Sequence, residues 1–329
     1  MRAVTLGELL LRLSPPADER LFVSSRLVTF FGGAEANVAV ALSHLGIRCD
    51  YVTRVPGNPI GDAAVAALER EGVGTEWILR GGDRLGIYFV EPGADLRLMR
   101  VVYDRAGSAF ARIEPTAVAW PRILEGADWF HASGITPALG DGPTAVLTNA
   151  LASARAKDIP VSFDLNYREA LWRDRDPRPV IQPLARQADL LIGNPAALRA
   201  MLGIDADDDS FATPPRAREL AERVVRQSGV RRVALTRREV LGAREHGWSA
   251  VLYDGETGVF FQSRRHCVEV VDRVGGGDSF AAALIARLLD GDAPAEALEF
   301  AVMASALKLT VPGDFSRASV SEVVELLGS

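Results

Sequence analysis

The sequence predicts an α/β fold, a mostly parallel sheet flanked by helices, with a small β lid above it. Three observations carry that expectation. Apolar runs of strand length alternate with longer segments of helical period. One such run, Pro160-Val161-Ser162-Phe163, ends on an acid, Asp164. Two stretches, in residues 9–31 and 86–103, break the alternation.

The strand runs are Val4-Thr5-Leu6, Asp50-Tyr51-Val52-Thr53, Trp129-Phe130-His131, Val161-Ser162-Phe163-Asp164, Leu190-Leu191-Ile192 and Val233-Ala234-Leu235-Thr236. Helical periods fall near residues 35–45, 61–71, 142–157, 177–187 and 216–228. The acid at the end of the Val161 strand is informative, because open α/β sheets bind ligands outside the carboxyl ends of their strands. Leu9-Leu10-Leu11-Arg12-Leu13 and Leu27-Val28-Thr29-Phe30-Phe31 follow one another without an intervening helix. Gly86 to Val90, a turn at Pro92-Gly93, and Leu96 through Tyr103 read as a hairpin. Such strands cannot join a parallel sheet through short connections. They predict a separate lid formed by roughly 9–31 and 86–112 within a single domain spanning 1–329. Phe300, Val302, Met303, Ala306 and Leu307 sit at helical spacing and read as core.

A chain of 329 residues, 48% hydrophobic and 24% charged, is long enough to bury a substantial core. Its formal net charge of -6 lacks the basic footprint of a nucleic-acid binder. Cys49 and Cys267 have no neighbours at metal or redox spacing and read as buried free thiols. The four histidines are scattered, and the acidic run Asp205-Ala206-Asp207-Asp208-Asp209 reads as a solvated loop rather than a metal site. No apolar run reaches the roughly 18 residues of a membrane span. The N-terminus lacks the apolar region and cleavage site of a signal peptide, so the expected location is cytoplasmic with no membrane partner.

The strongest local signal is Asp272-Arg273-Val274-Gly275-Gly276-Gly277-Asp278, followed by Phe280, Leu284, Ile285, Leu288 and Leu289 at helical spacing. Glycines before a helix let the backbone approach a ligand, and the helix N-terminus suits an anion. Asp278 falls in the first turn, beside the place where that anion would sit. Phosphoryl transfer needs this pairing of donors for the phosphoryl oxygens with an acceptor for the hydroxyl proton. An ordinary Gly-rich turn with a first-turn acid has the same residue order, and these residues alone leave both readings open. Gly32-Gly33-Ala34-Glu35-Ala36-Asn37 opens a helix with Asn37 one turn inside it, which by itself is also a plain helix start. No Gly-x-x-x-x-Gly-Lys-Ser/Thr element occurs.

Taken together, the two glycine elements resemble those of the ribokinase-like (PfkB) carbohydrate kinases, in the same order and over the whole chain. Within that family the sequence is most similar to the 2-keto-3-deoxygluconate kinases, through Tyr103-Asp104-Arg105, Asp164-Leu165-Asn166-Tyr167-Arg168 and Pro312-Gly313-Asp314-Phe315. The resemblance implies an ATP-dependent kinase that phosphorylates the terminal hydroxyl of a sugar acid. It puts Gly33, Asn37, Tyr88, Tyr103, Arg105, Ile135, Arg168 and Asp314 around the sugar. Asn166, Asn194, Thr236, Gly275 and Gly277 fall around the nucleotide. Asp278 becomes the base, with Gly275, Gly276 and Gly277 as backbone donors in the catalytic group. Magnesium is expected to arrive with ATP rather than on a direct protein motif. The resemblance also leaves open a monovalent cation near Asp272 and a homo-oligomer through the lid.

Three positions depart from the family pattern. Asn194-Pro195-Ala196-Ala197 lacks the expected acid. Arg237-Arg238-Glu239-Val240-Leu241-Gly242 puts bulky residues where a glycine turn is expected, and Arg273 replaces a threonine. The rival readings are a neutral-sugar kinase of the fructokinase or ribokinase type and a catalytically weak sugar-binding regulatory protein. Arg105 and Arg168 argue against the first, because a neutral sugar gives no reason for two guanidinium groups.

Overall fold

The computed structural model describes residues 1–329 except 17, 18, 24, 94–96, 98, 208, 243 and 329. The alternating pattern becomes β1 (Arg2–Leu6), β4 (Arg48–Val55), β8 (Trp129–Ser133), β9 (Val161–Asp164), β10 (Leu190–Gly193) and β11 (Arg232–Val240). All of these strands are parallel, in the order β11-β10-β9-β8-β1-β4, with β5 (Ile78–Arg80) added beyond β4. Their near-continuous burial is what a parallel sheet covered on both faces requires. The antiparallel strands β12 (Glu245–Asp254), β13 (Val259–Gln262) and β14 (His266–Glu269) extend the sheet beyond β11.

The helices of eight residues or more are α1 (Ala34–His44), α2 (Pro59–Arg70), α3 (Asp141–Arg155), α4 (Arg178–Ala185), α5 (Pro214–Ser228), α6 (Gly276–Leu289), α7 (Pro294–Leu309) and α8 (Val320–Gly328). Two cores divide between the faces. Residues of α1, α2, α6 and α7 pack on one side, and residues of α3, α4 and α5 on the other. Phe300 and Val302 are buried in the first core, with Met303 and Leu307 packed partly buried against it, and Ala306 is buried as well. Chain order reverses between β1 and β8, and a crevice opens at that switch point.

The stretches that break the alternation form a second sheet in the order β3-β2-β6-β7, from β2 (Leu10–Ser14), β3 (Val28–Gly32), β6 (Gly86–Glu91) and β7 (Arg100–Asp104). β6 and β7 pair antiparallel, while Leu96, where the expected second arm of the hairpin begins, lies outside the described residues. Beyond β7 the chain returns to the main body, where Phe110 and Ile113 are buried in the second core, on the face of α3, α4 and α5.

Two details differ from the sequence reading. Cys49 is buried, but Cys267 is exposed, because β14 lies on the open side of β12 and the strand alternation turns its Sγ outward. The strand read as Val233–Thr236 is longer: residues 237–240, whose bulky side chains depart from a glycine turn, continue β11, paired with β12 as far as Val240↔His246. Among the described residues no helix is long and apolar enough to cross a membrane, and no group of acids, histidines and cysteines has metal-binding geometry.

Candidate active site

A cavity of ≈ 600 Å³ lies between the carboxyl ends of the main strands and the small sheet. Leu10, Tyr88, Met99, Val101, Tyr103 and Arg105 form its small-sheet wall. The remaining sequence-predicted residues Gly33, Asn37, Ile135, Asn166, Arg168, Asn194, Thr236, Gly275, Gly277, Asp278 and Asp314 also line it. Gly276 does not. It packs against Leu309, and its carbonyl accepts from Ser305 Oγ at 2.7 Å.

Asp278 stands in the first turn of α6, whose N-cap Gly275 has φ 84. A Cβ at Gly275 would fall 2.1 Å from the Asp314 carbonyl oxygen, so both the left-handed backbone and the close approach demand glycine. Gly277 has open space beside its Cα, on the cavity side. Asp278 Oδ2 accepts from Asn37 Nδ2 at 2.7 Å. Asn37 is itself oriented by the Gly33 N–H, which donates to its Oδ1 at 3.3 Å. Gly33 is required here by contact: a Cβ would lie 2.1 Å from the Glu8 carbonyl oxygen. Burial raises the Asp278 pKa, opposed by Asn37, Arg168 and Lys308.

Two further carboxyls that the sequence reading left without a role face the same space. Glu35 is fully buried, and burial raises its pKa to about 7 against the Ser133 hydroxyl, which donates to Oε1 at 2.5 Å. Asp164 is raised to about 7 by burial and by Asp278. It holds the strand end through Asn166, whose N–H donates to Oδ1 at 2.9 Å from a left-handed backbone (φ 42) that asparagine tolerates.

The two arginines have different surroundings. Arg105 is buried, and its Nε donates to Glu8 Oε2 at 2.9 Å; Nη2 donates to the same oxygen, and Ser108 Oγ donates to Oε1. Arg168 is exposed at the cavity edge and pairs with no acid among the described residues; its Nη1 donates to the Tyr167 carbonyl at 3.1 Å. Tyr103 stacks on Tyr88, ring centroids 5.8 Å apart, and Tyr88 OH donates to Asp314 Oδ1. Asp314 Oδ2 accepts from Arg12 Nη1 at 2.9 Å, while Arg12 Nη2 lies 2.7 Å from Asp272 Oδ2. Asp272 also accepts from the N–H groups of Val274 and Gly313. Burial raises Asp314 to about 6 against the pull of Arg12.

The sequence reading missed Glu8, Arg12 and Lys308. Arg12 had a signal, since it interrupts a run of leucines at the inward phase of β2, where a charge must find buried partners. Asn194 caps the turn that follows β10, its Oδ1 accepting from Ala197 N at 3.0 Å where the expected acid is missing. Thr236 Oγ1 donates to the Gly193 carbonyl at 3.3 Å.

The geometry therefore joins a glycine-lined helix N-terminus, a buried carboxylate and an arginine fork in one cleft. The pfkB family carbohydrate kinase model matches residues 2–319. The 2-dehydro-3-deoxygalactonokinase of Haloferax volcanii is 34% identical over 326 residues, covering 98% of this chain and 96% of its own. The 2-dehydro-3-deoxygluconokinase of Thermoproteus tenax is 32% identical over 319 residues, covering 94% and 89%. The crystal structure of 2-dehydro-3-deoxygluconokinase from Thermotoga maritima superposes with a TM-score of 0.95 at 42% identity, covering 100% of this chain and 98% of that one. With its order of glycine elements, its two sheets and its cleft all accounted for, the chain belongs to the pfkB family of carbohydrate kinases.

Proposed function

We propose that this chain transfers the γ-phosphoryl of ATP to the terminal hydroxyl of 2-keto-3-deoxygluconate (2-dehydro-3-deoxygluconate) or a similar sugar acid. The observation that carries the reading is the single cleft holding Asp278 beside the Gly275–Gly277 helix start, with the fork of Arg168 facing the same space. The three kinases named above act, by name, on 2-dehydro-3-deoxygalactonate or 2-dehydro-3-deoxygluconate.

In this reading the sugar lies over Gly33 and Asn37, flanked by Ile135 and by Tyr88 and Tyr103 of the small sheet. Arg168 takes the carboxylate, and Arg105 contributes from above while Glu8 holds its guanidinium. Asp314 keeps Tyr88 in place. Fixing the carboxylate sets the far hydroxyl near Asp278, the positioning on which transfer depends. Asp278 accepts the hydroxyl proton as the oxygen attacks phosphorus, and a raised carboxylate pKa makes it a better acceptor. The N–H groups of Gly275 and Gly277, the two glycines of the run that line the cavity, offset charge that develops on the phosphoryl oxygens. Asn166, Asn194 and Thr236 border the nucleotide.

Magnesium would come with the nucleotide and neutralise its phosphates, which suits a cleft with no protein cage for a metal among the described residues. No monovalent cation is needed beside Asp272, because Arg12 already supplies a positive charge 2.7 Å from that carboxylate. The small sheet serves as a lid that excludes water. Any contact between copies would use this lid, where Val28 and Val102 are exposed. A coupled ADP-release assay with 2-keto-3-deoxygluconate, 2-keto-3-deoxygalactonate, fructose and ribose tests the reading. Preference for a neutral sugar would refute it.

A further inference from the structure

We infer that Arg12 and Asp272 are positioning residues that tie the sugar side of the cleft to the glycine loop, so that sugar and nucleotide each bind more tightly when the other is bound. The inference rests on the kinase reading above and concerns two residues to which that reading gives no part in substrate binding. Neither lines the cavity, so what they do for the substrates they do through other residues. Phe30, Arg12, Tyr88 and Tyr103 are successive partners across β3, β2, β6 and β7, which puts them in one row on one face of the small sheet. The row divides by chemistry. Tyr88 and Tyr103 stack with centroids 5.8 Å apart and border the space given to the sugar. Arg12 lies beside them, its guanidinium 5.1 Å from the centre of the Phe30 ring, and reaches the main body instead.

Each nitrogen of that guanidinium is engaged. Nε donates to Ser14 Oγ at 3.0 Å, Nη1 donates to Asp314 Oδ2 at 2.9 Å, and Nη2 lies 2.7 Å from Asp272 Oδ2. Asp314 Oδ1 takes the Tyr88 hydroxyl. Asp272 Oδ1 accepts from the Val274 N–H at 3.1 Å, and its Oδ2 accepts from the Gly313 N–H at 3.0 Å. Val274 and Gly275 line the cavity where the kinase reading puts the phosphates, and Gly275 packs directly on the Asp314 carbonyl. An unbroken series of contacts thus runs from Tyr103 through Tyr88, Asp314, Arg12 and Asp272 to the backbone before Gly275. Tyr88, Asp314, Arg12 and Asp272 are all buried. Such a network shifts as a unit, because displacing one member leaves another buried charge without its partner. A sugar that settles against the tyrosines is therefore felt at Val274 and Gly275, and a nucleotide on the loop is felt at the tyrosines. Coupling of this kind is reciprocal. Arginine suits the junction because its planar fork gives one Nη nitrogen to each carboxylate, whereas a lysine keeps the charge and loses that geometry.

The test is calorimetric. It measures the Kd of 2-keto-3-deoxygluconate alone and with saturating β,γ-methylene ATP and magnesium, and the Kd of that analogue alone and with saturating sugar acid. Wild type is compared with Arg12→Lys, Asp272→Asn and Tyr88→Phe, and with Arg2→Lys, which weakens an ion pair to Asp50 at the opposite end of β1, as control. The readout is the ratio of the two Kd values, which a loss of stability alone does not move. In wild type the ratio is expected to be about fivefold or more and equal in both directions. Arg12→Lys and Asp272→Asn bring it to within about twofold of one, and the control keeps it. Tyr88→Phe removes only the hydroxyl that joins the ring to Asp314, also lowers the ratio, and decides the matter where a charge variant does not fold. A wild-type ratio within about twofold of one overturns the inference, as do folded variants that keep the wild-type ratio. Turnover of the sugar acid with no such ratio refutes the coupling and leaves the kinase reading standing. A protein that takes a neutral sugar instead, with a ratio that these variants abolish, supports the coupling and refutes the sugar-acid reading. Binding of no sugar at all refutes both.

Discussion

Asp278 depends on two neighbours, the glycine backbone that precedes it and Asn37, whose amide fixes one carboxylate oxygen at 2.7 Å. Asparagine at 278 keeps the volume and removes the proton acceptor. Asp278→Asn should therefore lower kcat by about 10²–10⁴ while KM for both substrates changes little. Steady-state kinetics on the purified variant checks this, and near-normal turnover would remove Asp278 from the mechanism. Because burial raises the Asp278 pKa, the acid limb of the kcat profile should lie above the ordinary aspartate range. Glu35 gives a second prediction, on stability. Its folded pKa of about 7 lies above the ordinary glutamate value of 4.5, so the folded state holds that proton more tightly than the unfolded chain. The contribution is fully present below the unfolded pKa and is lost as pH rises through about 7. Thermal unfolding across this window should show Tm falling with pH in wild type and falling less in Glu35→Gln. Equal slopes in the two proteins would remove Glu35 as a source of the dependence.

The small sheet is joined to the main body by buried charge. Arg12 of β2, itself only 2% exposed, reaches Asp272 and Asp314, and Arg105 beyond β7 reaches Glu8 beyond β1. Arg12→Ala leaves two buried carboxylates without their partner and should cost about 3–5 kcal/mol in urea unfolding. A loss below about 1 kcal/mol, the range of surface pairs, would mean that the junction is held by packing alone. Since Arg12 already neutralises Asp272, turnover should be the same in potassium and in tetramethylammonium buffers; strong potassium activation would contradict that role. These elements were unequally legible in the sequence. The parallel strands and their helices could be read because each buried strand is a short apolar run and each surface helix repeats its apolar face. The small sheet could be read from what it interrupts. The β12–β14 extension was missed, since β12 is buried along nearly its whole length and shows no alternation. At the site, the residues in the glycine elements and strand ends were legible because local backbone geometry demands their residue types. Glu8 and the partners of Arg12 were not, because they meet across the chain: Arg12 and Asp314 are 302 residues apart, Arg105 and Glu8 97.

At the scale of the whole molecule, a chain of net charge -6 maintains a cleft whose edge carries Arg168, Arg105, Arg238 and Arg273. These arginines stand among the acids Glu8, Glu35, Asp164, Glu169, Asp278 and Asp314 of the same lining, and Glu8 is already taken by Arg105 and Asp314 by Arg12. In the proposed reading, Arg168, whose fork has no acid partner among the described residues, selects an acid over a neutral sugar. Arg168→Ala should raise KM for 2-keto-3-deoxygluconate by about tenfold or more, equivalent to about 1.4 kcal/mol, and leave any activity on neutral sugars almost unchanged. Arg105→Ala should also raise that KM, and with it destabilise the protein, because Glu8 would be left buried and alone. The most direct measurement is ADP release by the wild-type protein with 2-keto-3-deoxygluconate, fructose and ribose side by side, repeated with Arg168→Ala. A kcat/KM that favours the sugar acid in wild type and collapses toward the neutral-sugar value in the variant is the predicted result. A wild-type preference for fructose or ribose, or an acid preference that survives loss of Arg168, would contradict it.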